Sequence, residues 1–147
     1  MIPVTQIQEV GEVLGGRRIL GKTVKSLLEL NDCVERGLPK AALRHVAAHV
    51  FPNAANQRAI MWRVVPEGTY KRRRARLTPA ESARTERLAR VVAMAEHIWQ
   101  DREAARRFLT APHAEIGGKT PLDAALTELG ARQAEDIMAR ILYGLPA

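Results

Sequence analysis

Five cations fall within six residues at Lys71-Arg72-Arg73-Arg74-Ala75-Arg76. Cations at this density repel one another, and a polyanion relieves that repulsion. Each guanidinium also presents a fork of donors that fits a phosphate or the edge of a guanine. The rest of the chain sharpens the signal. Residues 63–90 carry 9 Lys/Arg against 3 Asp/Glu, residues 1–62 carry 8 against 5, and residues 91–147 carry 6 against 8, within a net charge of +7. An excess confined to one short segment points to nucleic acid more than to general solubility. A solvated basic face or a linker is the competing reading. RNA and a membrane surface weigh less, because residues 67–76 have a poor apolar face.

Other residues offer weaker chemistry. Gly117-Gly118-Lys119-Thr120 resembles the end of a phosphate-binding loop. That pattern needs a glycine five residues before Gly118, where His113 stands, and a preceding strand. A loop leading into a capped helix fits better. His45 and His49 have the spacing of two ligands on one helix face, but no third ligand lies nearby in sequence, so no metal site is expected. Ser26, Ser82, Cys33, His97 and His113 form no pattern of nucleophile and base, and no catalytic residue or cofactor is assigned. A single cysteine excludes an internal disulfide and suits a reduced thiol in a cytosolic protein. No apolar run reaches the roughly 20 residues of a membrane span, and residues 1–3 do not open a secretory signal.

The elements that must position these residues read as helices throughout. Hydrophobic residues make up 46% of the chain but aromatics only 4%, so Ala, Leu, Val and Ile build the core. That mix favours an all-α fold. Residues 1–22 read as an arm, with a capping-box spacing at Thr5–Gln8, a short stripe of Ile7, Val10 and Leu14, and an end at Gly15-Gly16. Thr23 is the expected cap of a helix carrying Val24, Leu27, Leu28 and Val34, which Gly37 stops. Pro39 opens the next helix, with Ala42, Leu43, Val46, Ala47 and Val50 inward. Asn53 caps a third, holding Ala59, Ile60 and Met61. Pro66 then starts a helix expected to run through Arg76. Short helices with tight connections make a helix-turn-helix, whose second helix enters the major groove. On that plan Thr69, Tyr70, Lys71, Arg72, Arg73, Arg74 and Arg76 are the candidate DNA contacts.

The second half has clearer punctuation. Thr78-Pro79-Ala80-Glu81 joins a Thr cap, a proline at the first helical position and a Glu at the third. The stripe Leu88, Val91, Val92, Ala95, Ile98 and Trp99 follows. Asp101 caps a helix with Ala105, Phe108 and Leu109 inward. Thr120-Pro121-Leu122-Asp123 repeats the start signal, with Leu122, Leu126 and Leu129 on one face and Gly130 as an interruption. The last helix carries Ala134, Ile137, Met138, Ile141 and Leu142 inward and stops at Gly144. Arg140, Tyr143 and the final residues are then free to reach outward. Too little chain remains to cover every apolar position, so a homodimer is expected.

These motifs resemble a known family. Leu77–Ser82, Arg87–Val91, Ala95, Ala105–Leu109 and Pro112 resemble the toxin-binding domain of Xre/MbcA/ParS-type antitoxins. The strongest likenesses are Gly117–Asp123 and Glu128–Arg132, and Glu135-Asp136, Arg140-Ile141 and Tyr143-Gly144 also fit. They keep their order over residues 66–147. Residues before them follow only the general Xre-like helix-turn-helix plan, best at Gly37–Pro39 and Thr69–Arg73. Phe108 stands where the family usually has tryptophan, and His113–Ile116 fits loosely. Together with the arm read over residues 1–22, the resemblance implies an Xre-like helix-turn-helix over 23–77 and a toxin-binding and dimerisation domain over 78–147. It implies a cytoplasmic, non-enzymatic antitoxin that binds and inhibits a RES-domain toxin acting on NAD, and that binds operator DNA to repress its own operon. Such antitoxins place their C-terminal end at or near the toxin's active site, so Arg132, Arg140, Tyr143, Gly144 and Leu145 are the candidate toxin contacts. A free-standing dimeric DNA-binding regulator is the alternative.

Overall fold

The structure, a computed structural model, describes residues 4–144. Its centre is one 21-residue helix, α7 (Pro79–Trp99). Thr78 Oγ1 accepts from the Glu81 amide while the Glu81 carboxylate accepts from the Thr78 amide, so the expected capping box is formed. The helix buries Leu88, Val91, Val92 and Ala95 as its spacing requires, and also Ser82 and Thr85. Each buried hydroxyl is satisfied. Ser82 Oγ accepts from the Leu38 amide at 2.8 Å, and the Thr85 hydroxyl donates to the Glu81 carbonyl at 2.9 Å.

Against α7 pack α1 (Val4–Val13), α3 (Leu27–Arg36), α4 (Lys40–Val50) and α5 (Ala54–Val64) from the N-terminal side. From the C-terminal side come α8 (Arg102–Leu109), α9 (Pro121–Ala124) and α10 (Glu128–Leu142). Two short helices, α2 (Gly16–Leu20) and α6 (Glu67–Arg72), and a 3-10 turn at Ala114–Ile116 complete the chain. The buried side chains form one continuous core from Ile7 to Met138. Among the described residues the only strand-like pairing is a lone antiparallel bridge, Pro39 to Arg76. The fold is all-α.

Several elements match their sequence signals. All five expected residues of α4 are buried, Asn53 caps α5, Asp101 caps α8, and Thr120 caps α9 at the end of the Gly117-Gly118 loop. Others differ. The N-terminal segment is no arm: Ile7, Val10, Val13 and Leu14 are buried, and α1 lies on α7. Thr5 falls inside α1, and its side chain lies outside the described residues. The cap of α3 is Ser26, which accepts from the Glu29 amide at 3.1 Å. That start turns Leu30 and Cys33 inward and leaves Leu27 and Leu28 exposed. Gly130 does not interrupt a helix. It sits in the first turn of α10, where a Cβ would lie 2.0 Å from the Ala124 carbonyl oxygen, so only glycine fits against α9. The inward stripe of α10 ends at Met138, and Ile141 and Leu142 are exposed.

Candidate functional site

α5 is followed by α6 across a two-residue connection, Val65 and Pro66, the tight pairing of short helices that a helix-turn-helix requires. Val64 and Val65 are both buried, which anchors the turn to the core. The second helix is shorter than its sequence suggests. It ends at Arg72, and Arg73–Leu77 form an extended strap. The strap pairs with the α3–α4 connection, through Lys40 N to Ala75 O at 3.0 Å and Leu77 N to Leu38 O at 2.8 Å. Gly37 makes this approach possible. Its φ is +92°, and a Cβ there would meet the Leu77 carbonyl oxygen at 2.4 Å.

This geometry divides the arginine run by role. Arg73 reaches back to α7, donating from Nε and Nη2 to the two carboxylate oxygens of Glu81 at 3.2 and 2.8 Å. The Arg73 bond holds the Glu81 carboxyl below its ordinary range, helped by the capping bonds from Thr78. Arg76 donates to the Gly37 carbonyl at 2.8 Å. Tyr70 is buried rather than outward. Its hydroxyl donates to the Lys40 carbonyl at 3.0 Å, and its ring sits 5.4 Å from that of Trp62. Burial pushes the Tyr70 phenol up. Lys71, Arg72 and Arg74 remain exposed. Lys71 is paired with Glu67 at 2.9 Å, and Arg72 donates to Thr69 Oγ1 at 3.3 Å. Of the seven residues assigned to DNA from sequence, Tyr70, Arg73 and Arg76 are turned to structural partners. Lys71, Arg72 and Arg74 are exposed and Thr69 is half-buried on the second helix and its exit.

Sequence reasoning missed the residue that stops α6. Lys40 Nζ donates to the carbonyls of Tyr70 and Arg73, at 2.9 and 3.1 Å, and so caps the helix from α4. Only its place after Gly37-Leu38-Pro39 hinted at a role. Two cross-links between the halves were equally invisible. Arg63 of α5 pairs with Asp123 of α9. Arg90 of α7 lies 3.5 Å from Glu86 and 3.4 Å from Glu135 of α10. Desolvation pushes both of these carboxyls up, partly offset by Arg90.

At the far end of α10 the candidate contacts also separate. Arg140 is not free. It pairs with Glu115 of the 3-10 turn, which fixes the helix end to the loop before α9. Tyr143 is 70% exposed and follows the exposed Ile141 and Leu142, so the helix ends in an apolar tip. Arg132 is exposed on the same helix, 11 residues before Tyr143. Eleven residues are close to three full turns, so the two share a face about 16 Å apart. Gly144 has a φ of +65° just beyond the helix. Leu145 lies outside the described residues. Among the described residues no group of three or more His, Cys, Asp or Glu side chains is placed to hold a metal. His49 instead meets Glu96 at 3.1 Å. No helix among them is long and apolar enough to cross a membrane.

Comparison with known proteins follows the same division. Residues 29–90 match the antitoxin Xre-like helix-turn-helix domain, and residues 94–144 match the antitoxin Xre/MbcA/ParS C-terminal toxin-binding domain. The chain is 34% identical over 84 residues to an antitoxin Xre of Pseudomonas putida. That match covers 55% of this chain and about half, 53%, of the relative's length. Both matched domains are binding modules, in keeping with a non-enzymatic protein. With its two modules in this order, the chain belongs to the Xre/MbcA/ParS-type antitoxin family.

Proposed function

We propose that this chain is the antitoxin of a type II toxin–antitoxin pair, acting in the cytoplasm. Its C-terminal module binds and inhibits a RES-domain toxin that uses NAD, and its helix-turn-helix binds operator DNA to repress the shared operon. The observation that carries this reading is the pairing of two unlike surfaces on one core. One is the cationic group Lys71, Arg72 and Arg74 on the helix-turn-helix; the other is the apolar tip Ile141, Leu142 and Tyr143 on the toxin-binding module. The DNA contacts in this reading are Thr69, Lys71, Arg72 and Arg74, and the toxin contacts are Arg132 and Tyr143 with the residues that follow. Homodimerisation is part of the proposal. Leu27 and Leu28 on α3 are 51% and 71% exposed, and they support a self-association face.

Co-expression with a neighbouring RES-type toxin tests the first half. A stable complex with suppressed NAD consumption is expected, and no complex would favour the free-standing regulator. The DNA half is tested by replacing Lys71, Arg72 and Arg74 together with Ala. Affinity for operator and for unrelated duplex should both fall, and the salt dependence should flatten by roughly one phosphate contact per cation removed. Because these three side chains are exposed, the variant should melt like the parent. Unchanged affinity and salt slope would remove this face from the DNA interface.

A further inference from the structure

Behind the recognition helix lies a recess of about 410 Å³ enclosed by α4, α5 and α6. Its size falls in the range of small-molecule sites, about 300–1,000 Å³. Four cations line it, Lys40, Arg44, Arg58 and Lys71, against the single carboxylate of Glu67. Two are already engaged: Lys40 holds carbonyls of Tyr70 and Arg73, and Lys71 holds Glu67. Arg44 and Arg58 form no ion pair among the described residues. The apolar part of the lining is Met61 with the indole of Trp62. Trp62 is half-buried, and the buried Tyr70 ring lies beside it, tilted by 59°.

Two guanidiniums outside any ion pair, Arg44 beside the Tyr70 hydroxyl and Arg58 near the Glu67 carboxylate, share the recess with a flat indole, and that makes a specific combination. The guanidiniums suit a phosphate group, and the indole suits a planar ring. We propose that this recess binds a small phosphate-bearing aromatic ligand the size of a mononucleotide. A DNA duplex fits the recess poorly. Its backbone presents a convex ridge, whereas Trp62 and Met61 lie in the walls between three helices. The ligand would touch α4, α5 and α6 at once and so fix the second helix against its scaffold. Occupancy would therefore act on the presentation of Lys71 and Arg72 to DNA. The proposal does not depend on the identity of the toxin.

Calorimetric titration of the full-length protein with each of the four 5′-mononucleotides tests it, with inorganic phosphate and adenosine as partial ligands. At least one mononucleotide should bind saturably at one site per chain, and more tightly than either partial ligand. Replacing Arg44 and Arg58 together with Gln should weaken that binding by about tenfold or more, as loss of charge-assisted hydrogen bonds does. Both residues are exposed, so the variant should keep the parent's melting temperature. Absence of saturable binding by any mononucleotide overturns the proposal, as does equal affinity in the Arg44→Gln/Arg58→Gln variant. If the variant instead loses duplex affinity while the parent binds no mononucleotide, the recess belongs to the DNA interface and the proposal fails.

Discussion

Arg73 shows how one side chain of an arginine cluster can be held by a structural partner while its neighbours stay exposed. Its guanidinium completes a two-bond pair with Glu81, whose carboxylate is also half of the α7 capping box. A single carboxylate thus ties the helix-turn-helix exit to the central helix. Because its folded-state pKa is lowered, Glu81 contributes stability above the ordinary carboxyl value of 4.5, and that contribution is lost as the pH falls through the folded value. Glu81→Gln should therefore destabilise the protein at pH 7, by about 1–3 kcal/mol for a buried bond left incomplete. The gap from the parent should narrow on acidification below about pH 4.5. Thermal melts of both proteins from pH 7 to pH 3 measure this, and a gap that stays constant with pH would separate Glu81 from the effect. Arg73→Ala should likewise lower stability, so its effect on DNA binding cannot be read in isolation.

Elements follow their local signals where those signals are complete, and depart where a distant residue decides. The α7 start carries a Thr cap, a proline and a Glu within four residues, and it forms as written. The buried face of α4 was legible because five apolar positions repeat at helical spacing. The end of α6 was not. Nothing in Arg72–Arg76 stops a helix, and the stop comes from Lys40, about 30 residues earlier, together with the pairing of the strap beside Gly37. The N-terminal helix was missed for a related reason. Two glycines follow a short stripe, which reads as an unsupported arm until α7 supplies the surface that buries it. Gly130 is the clearest case, since a residue that reads as a breaker is a contact. Gly130→Ala should force α10 away from the Ala124 carbonyl and cost about 1–3 kcal/mol, despite alanine's better helix propensity. Chemical denaturation measures it, and a variant as stable as the parent or more so would show that the α9–α10 corner relaxes freely.

On the scale of the molecule, two modules share α7 and one core, and their charges differ in sign. Residues 63–90 are strongly basic, whereas residues 91–147 carry a small acidic excess. The proposed DNA contact therefore falls in the segment whose charge favours a polyanion. The acidic module exposes Leu129 at the start of α10 and a cluster of Ile141, Leu142 and Tyr143 at its tip, which is the apolar contact the proposed reading assigns to the toxin. The anchoring of that tip matters, because Arg140 is held by Glu115 and Met138 is fully buried. Ile141, Leu142 and Tyr143 therefore follow directly on an anchored helix end, which lowers the ordering cost of docking. Replacing Ile141 with Asp and Tyr143 with Ala should leave folding and DNA affinity unchanged, since both side chains are exposed and distant in sequence from α6. The same double variant should lose about tenfold or more in affinity for the toxin, the effect of removing an aromatic anchor and placing a charge in an apolar contact. Toxin activity should then return at antitoxin concentrations that silence it fully in the parent complex. The measurement is NAD consumption by the toxin against increasing antitoxin, alongside duplex binding by the same preparations. Equal inhibition by parent and variant would move the toxin contact off the α10 tip, to the outer face of the helix that carries Arg132.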